Sequence, residues 1–258
     1  MIDFDNHGLL TIFAVSLVAI LGAGEIGRLL GTRAVGLGGG DVSTLEGATL
    51  GLLALMIGFT FAMALSRFEA RRDAVVNEAN AISTTALRAR LLPAPSRPEV
   101  LKLLREYAQV RLDASQSTLN SPVLKAAIGR ANQLQESLWR NAIAVAAKDA
   151  AIVPTGVFIQ SLNEMIDNQA KHLVAVQNRV PDIVFLALYG VTVVAFAFVG
   201  YANGLQRHRV RLPAYLMGAI VASVILLIQD LDRPIVGFIT VSQQPMLDTI
   251  ASMAGYSD

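Results

Sequence analysis

The residues with chemical potential in this sequence are few and widely separated. Glu25 and Arg28 stand three apart within the apolar run that begins at Leu9, so on a helix they share a face and can pair. A carboxylate at the centre of a bilayer costs about 2.5–3.5 kcal/mol on insertion scales, which marks such a charge as functional. The alternative is that the apolar segment ends near Gly24 and the pair lies at the membrane interface. Leu55, Phe59 and Met63 recur at i, i+4 and i+8, with Leu52 beside them. A stripe of this kind packs against other helices or, repeated around an axis, lines an apolar constriction that gates by dewetting. Arg67, Arg71 and Arg72 follow where the apolar run ends and can concentrate anions or bind lipid headgroups. Asp230, Asp232 and Arg233 close the last apolar run, where the arginine can pair with the carboxylates.

Most catalytic chemistry has no residues to carry it. There is no Walker loop, no G-x-S-x-G, no H-E-x-x-H and no dinucleotide fingerprint in a strand–helix context. Gly22, Gly24, Gly27 and Gly31 sit in an apolar helix, where small residues permit close helix packing. Cysteine is absent, which excludes disulfides, thiol catalysis and Cys-based zinc or iron–sulfur sites. His7, His172 and His208 share no local metal-ligand spacing. The expectation is therefore a protein without catalytic residues, cofactor or metal. A net charge of +1 gives no reason to expect nucleic acid as a partner.

The elements that must position these residues follow from composition. The chain of 258 residues is 53% hydrophobic and only 16% charged. Soluble domains carry about 25% charged residues, so the deficit points to a membrane protein. The N-terminus, MIDFDNH, is acidic where a signal peptide is basic, so the first apolar stretch is expected to be retained. Four stretches meet the spanning length of roughly 17–25 apolar residues: Leu9 to Leu30, Gly47 to Ser66, Ile183 to Gln206 and Leu212 to Gln229. Each must be helical, because lipid offers no partner to open backbone groups. The second continues without proline to Leu92, so one helix of about 67 Å can cover Ala48 to Leu92.

Between the pairs, Arg67 to Asp182 carries repeated helix punctuation. Ser96-Arg97-Pro98-Glu99 reads as a capping box before a helix with Val100, Leu103, Leu104, Tyr107, Val110 and Leu112 on one face. Ser121-Pro122 opens a second helix carrying Leu124, Ile128, Leu134, Leu138 and Ile143. Pro154 opens a third, with Phe158, Leu162, Met165 and Ile166, and Pro181 kinks it into the next membrane segment. The expected fold is all-α, a four-helix transmembrane bundle with a helical extramembrane domain inserted between the second and third membrane helices. Its divisions are 1–66, 67–182, 183–230 and 231–258.

Two segments resemble a known family. The run GFTFAMALSRFE, Gly58 to Glu69, resembles the bestrophin pore helix, and IQDLDRPIVGFITVSQQPMLD, Ile228 to Asp248, resembles the segment after the last bestrophin membrane helix. With LGLLALMIGFTFAMALSRFEARRDAVVNEANAI, nearly the whole chain resembles a bacterial family of bestrophin-like membrane proteins. The resemblance implies a homopentameric ion channel whose second membrane helices line a hydrophobic neck. Its neck positions map to Gly51, Leu55 and Phe59. Gly51 stands where a bulky apolar residue is expected, which implies a wider neck or a constriction shifted to Met63. Some bestrophins carry a calcium clasp after the last membrane helix. Here only Asp230 and Asp232 remain, beside Arg233, too few for an ion that takes six to eight oxygens.

The expectation is a passive ion channel in a bacterial inner membrane, with lipid, inorganic ions and further copies of itself as partners. The second reading is a non-conducting helical sensor or scaffold. Four crossings put the termini and the middle domain on one side. The arginines and lysines flanking the membrane do not choose that side: six stand with the middle domain and five opposite. The RHRVR hairpin favours the opposite loops as cytoplasmic, whereas the resemblance implies a cytoplasmic middle domain.

Overall fold

The computed structural model describes residues 8–35, 42–117, 121–148, 152–206, 211–235 and 237–256. His7, Asn120, Arg207, His208 and Arg209 lie outside the described residues. Among those described, every regular element is a helix: α1 (Leu9–Ala34), α2 (Ser43–Ala89), α3 (Ser96–Ser115), α4 (Pro122–Lys148), α5 (Ile152–Gln177), α6 (Asp182–Leu205), α7 (Leu212–Asp232) and α8 (Gln244–Ala254). The chain is all-α, as its composition and periodicity predict.

Four stretches are long and apolar enough to cross a membrane: Leu9–Ala34, Ser43–Ala89, Val153–Leu205 and Leu212–Asp232. The apolar part of the third is α6. The chain is an integral membrane protein. α2 is one helix of 47 residues, about 70 Å long. It starts earlier than expected and stops at Ala89, short of Leu92.

Local signals succeed unevenly. At α4 the Leu124 amide donates to Ser121 Oγ at 3.1 Å, the serine cap that Ser121-Pro122 predicts. At α3 the cap position is Pro95 with no side-chain cap bond, so Ser96 lies inside the helix and the expected capping box does not form. Pro181 ends rather than kinks: residues 178–181 are non-helical, and Pro181 sits at ψ 137° as the cap of α6. A proline lacks the amide needed to continue the ladder from α5. Ile143 is 57% exposed, off the buried face of α4 expected for it. The short α8, opened by Pro245, has no counterpart in the sequence reading.

The chain divides into two compact units. One comprises Met1–Arg67, Arg179–Arg233 and Gly237–Ile239, the other Phe68–Asn178, Pro234–Val236 and Thr240–Asp258. In the first, α1 packs most extensively on α6 and then on α7. Glycines set the α1–α6 approach. A Cβ at Gly27 would lie 2.8 Å from the Ala197 carbonyl carbon, and one at Gly200 2.7 Å from that of Gly24. Gly31 and Gly204 are equally crowded by facing backbone, whereas Gly22 meets nothing. The unit is tied across three helices by Tyr189, whose hydroxyl meets Ser16 Oγ at 2.8 Å and accepts from Gln229 Nε2 at 3.0 Å. In the second unit, Ile82, Leu104, Leu138, Phe158 and Met246 are buried in one core drawn from α2, α3, α4, α5 and α8.

Candidate functional site

The helix α2 has two contrasting sides. Leu53, Thr60, Ala64, Arg71, Val75, Glu78, Ile82 and Ala89 are buried, and their intervals of three, four and seven trace one seam along the helix. Gly51 and Leu55 lie about 160° around the helix from this seam, Phe59 about 120° and Met63 about 80°. Leu55 is 55% exposed, Phe59 65% and Met63 36%. Gly51 is exposed, and a Cβ there would meet nothing within 4 Å. The same side continues, exposed, through Ser66, Glu69, Asp73, Asn77 and Asn80. An apolar stripe thus passes into a polar, acidic one on a single helix face.

The three arginines beyond the apolar zone do not act as one set. Arg72 is exposed and Arg67 half-buried, while Arg71 is 2% exposed on the buried seam. Glu25 and Arg28 do come together: Arg28 Nε donates to Glu25 Oε2 at 3.1 Å. Tyr215 on α7 donates to the other carboxylate oxygen at 2.6 Å, and Arg211 Nη1 lies 3.8 Å from it. α1 runs ten residues past Gly24 with this pair on it.

The acidic end of α7 accepts hydrogen bonds from backbone amides. Asp230 is 2% exposed and accepts from the Phe238 and Ile239 amides at 2.9 and 3.0 Å. A Cβ at Gly237 would stand 3.2 Å from the Asp230 carboxyl carbon, so a larger residue there must displace that carboxylate. Asp232 Oδ1 accepts from the Val180 amide at 2.8 Å. The sequence reading pairs these carboxylates with Arg233; the bonds to returning backbone are what the tertiary structure adds. Among the described residues no group of three or more His, Cys, Asp or Glu is assembled. Calcium takes six to eight oxygens, so the residues present do not fit the ion.

A buried charge cluster occupies the second unit. Glu78 is fully buried. Arg111 grips it in a fork, Nε to Oε1 at 2.5 Å and Nη2 to Oε2 at 3.1 Å, and His172 Nδ1 lies 2.5 Å from Oε2. Burial pushes the Glu78 carboxyl upward, but the His172 hydrogen bond and the Arg111 charge outweigh it and hold it at about 2. Arg111 is itself shifted: burial lowers it, and the Glu78 carboxylate raises it further. Nearby Tyr107 donates to Gln169 at 3.1 Å, and burial raises its phenol above the usual range.

The family model of the Bestrophin-like domain matches residues 42–246, a span that includes α2, the charge cluster and the segment after α7. The chain belongs to the bestrophin-like family. Among solved structures it is similar to a bacterial bestrophin homologue from Klebsiella pneumoniae. A form of that protein with a single substitution has a TM-score of 0.74 at 15% identity, covering 97% of this chain and 100% of that one. A second such form has a TM-score of 0.71 at 15% identity, covering 96% and 99%. A further structure of the same homologue has a TM-score of 0.70 at 14% identity, covering 97% and 100%. At these identities the likeness establishes a shared fold. No curated protein matches the sequence.

Sequence reasoning on this bestrophin-like chain missed the Glu78–Arg111–His172 cluster. A signal was present: Glu78 stands between Val75 and Ile82 at helical spacing, a charge on an otherwise apolar seam. Arg111 likewise interrupts the buried run of Tyr107, Ala108 and Leu112. His172 has no charged partner near it in sequence, since Glu78 lies 94 positions away.

Proposed function

We propose that this bestrophin-like protein conducts ions passively as a homo-oligomer, a pentamer in the bestrophin pattern, through a pore lined by α2. One observation carries the reading: the stripe of Gly51, Leu55, Phe59 and Met63 is exposed along its length and stands off the seam by which α2 is buried. In a single copy such a face meets lipid, where it costs nothing; repeated around an axis by several copies it forms the kind of apolar constriction that gates by dewetting. Leu55, Phe59 and Met63 then form the neck, with Gly51 widening one end and Arg67 and Arg72 beyond the other. The protein resides in the bacterial inner membrane with its middle domain and termini cytoplasmic.

Subunit number in a nanodisc is the first test, because a monomer or dimer builds no five-helix neck and returns the protein to the sensor reading. In planar-bilayer recordings, Phe59→Ala is expected to raise conductance. Silence from both wild type and variant, with the oligomer intact, would refute conduction. For orientation, a cysteine at Asn132, which is exposed in a chain lacking native cysteine, is expected to resist an impermeant thiol reagent in intact cells.

A further inference from the structure

One end of the first unit carries a groove between α1, α6 and α7, with an enclosed volume of about 30 Å³. Its floor is bare because Gly24 and Gly200 bring α1 against α6 without side chains; a Cβ at Gly200 would stand 2.7 Å from the Gly24 carbonyl carbon. Polarity changes along the groove. Ile20 and Phe196 line its deep part, whereas Arg28, Asn203 and Arg211 line its mouth. Arg28 follows Ile20 on α1, and Asn203 follows Phe196 on α6, by two helical turns, so the mouth lies about 11 Å nearer the helix ends. About twenty residues cross a hydrocarbon core. Counted from Leu9 at the start of α1, that length ends at Arg28, and Arg211 directly precedes the first residue of α7. The mouth therefore stands at headgroup level, together with Tyr215, a residue type enriched at that depth. Glu25 has both carboxylate oxygens engaged there, one by Arg28 Nε and the other by the Tyr215 hydroxyl. Arg28 spends only its Nε on that bond, and its two Nη groups make none among the described residues. Arg211 is exposed, with Nη1 3.8 Å from Glu25 Oε1. Two guanidiniums and one carboxylate give the groove's lining a net charge of +1.

We propose that this groove seats one molecule of an anionic phospholipid, with its phosphodiester at Arg28, Arg211 and Asn203 and one acyl chain running inward past Ile20 and Phe196. Basic pockets between membrane helices hold anionic headgroups, and the excess of one positive charge matches one phosphodiester. The gradient from charged mouth to apolar depth follows the lipid's own, which a soluble anion lacks. The enclosed space is a small fraction of the cavity of about 150 Å³ that admits benzene, so a methylene chain enters where a ring does not.

The test is native mass spectrometry of the full-length protein, stripped of lipid in detergent and titrated with phosphatidylglycerol or phosphatidylcholine. Glycerophosphoglycerol, the same phosphodiester without acyl chains, is a third titrant. Phosphatidylglycerol is expected to add one molecule per chain, about fivefold more tightly than phosphatidylcholine, and the soluble diester to add none. Arg211→Gln, at an exposed position, should lower phosphatidylglycerol affinity about fivefold and erase that preference. Arg33→Gln, an exposed arginine of α1 outside the groove, should change neither. Ala214→Phe, which narrows the groove and keeps its charges, should weaken both lipids. Equal affinity for the two lipids, binding of the soluble diester at the same concentrations, or unaltered binding in Arg211→Gln or Ala214→Phe would each overturn the proposal. So would an equal loss in Arg33→Gln, which marks the field of the whole surface rather than a site. None of these readouts depends on conduction.

Discussion

Glu78 is the residue whose loss the structure prices most directly. It is fully buried and serves Arg111 and His172 together. Its carboxyl is held at about 2 against an ordinary value of 4.5. At 1.36 kcal/mol for each tenfold change, that depression corresponds to about 3 kcal/mol of folding stability. Because the folded-state value is the lower one, the contribution is complete above pH 4.5 and fades as the pH falls towards 2. Glu78→Gln removes the negative charge and leaves the Arg111 guanidinium buried, a change that costs about 3–5 kcal/mol where a buried pair is broken. The single tryptophan, Trp139, packs against the core of the same unit and reports its unfolding by fluorescence. At about 2–4 °C for each kcal/mol, the expected fall in Tm at pH 7 is about 10 °C. The wild-type advantage should shrink between pH 4.5 and 2. A variant melting within about 2 °C of wild type at pH 7, or one that keeps the wild-type acid sensitivity, would refute the assignment.

Three further changes test other parts of the molecule. Gly200→Ala sets a methyl against the backbone of Gly24 and Arg28, and should destabilise the α1–α6 pair by about 1–3 kcal/mol, read by circular dichroism against added SDS. Asp230→Asn weakens the clamp on the Phe238 and Ile239 amides. It should speed limited proteolysis between Pro234 and Gln243, and an unchanged cleavage rate would remove the clamp from the account. If α2 lines a pore, Glu69 and Asp73 face it, and neutralising both as Gln and Asn should lower cation conductance severalfold at about 0.1 M salt. That difference should vanish near 1 M, where charges are screened within about 3 Å.

What was legible in the sequence is what a single segment decides. Entry into lipid depends on the apolar length of one helix, so the four spans and the all-helical class could be read from composition and run length. The continuity of α2 past the apolar zone follows from the absence of proline, again a local property. The stripe at Leu55, Phe59 and Met63 was visible as spacing, but spacing alone does not say which side of a helix its neighbours cover. The three arginines show the difference. Within six positions of one another and alike in charge, they part company because Arg71 falls on the seam with Ala64, Val75 and Glu78 while Arg72 does not. Only tertiary packing brings Glu78, Arg111 and His172 from α2, α3 and α5 into one cluster, across separations of 33 and 94 positions. It likewise turns Asp230 from a conspicuous carboxylate into the acceptor for a returning chain. Burial in a membrane is a sum over neighbours along the chain. A charge cluster is a coincidence of neighbours in space, and only the packed helices supply it.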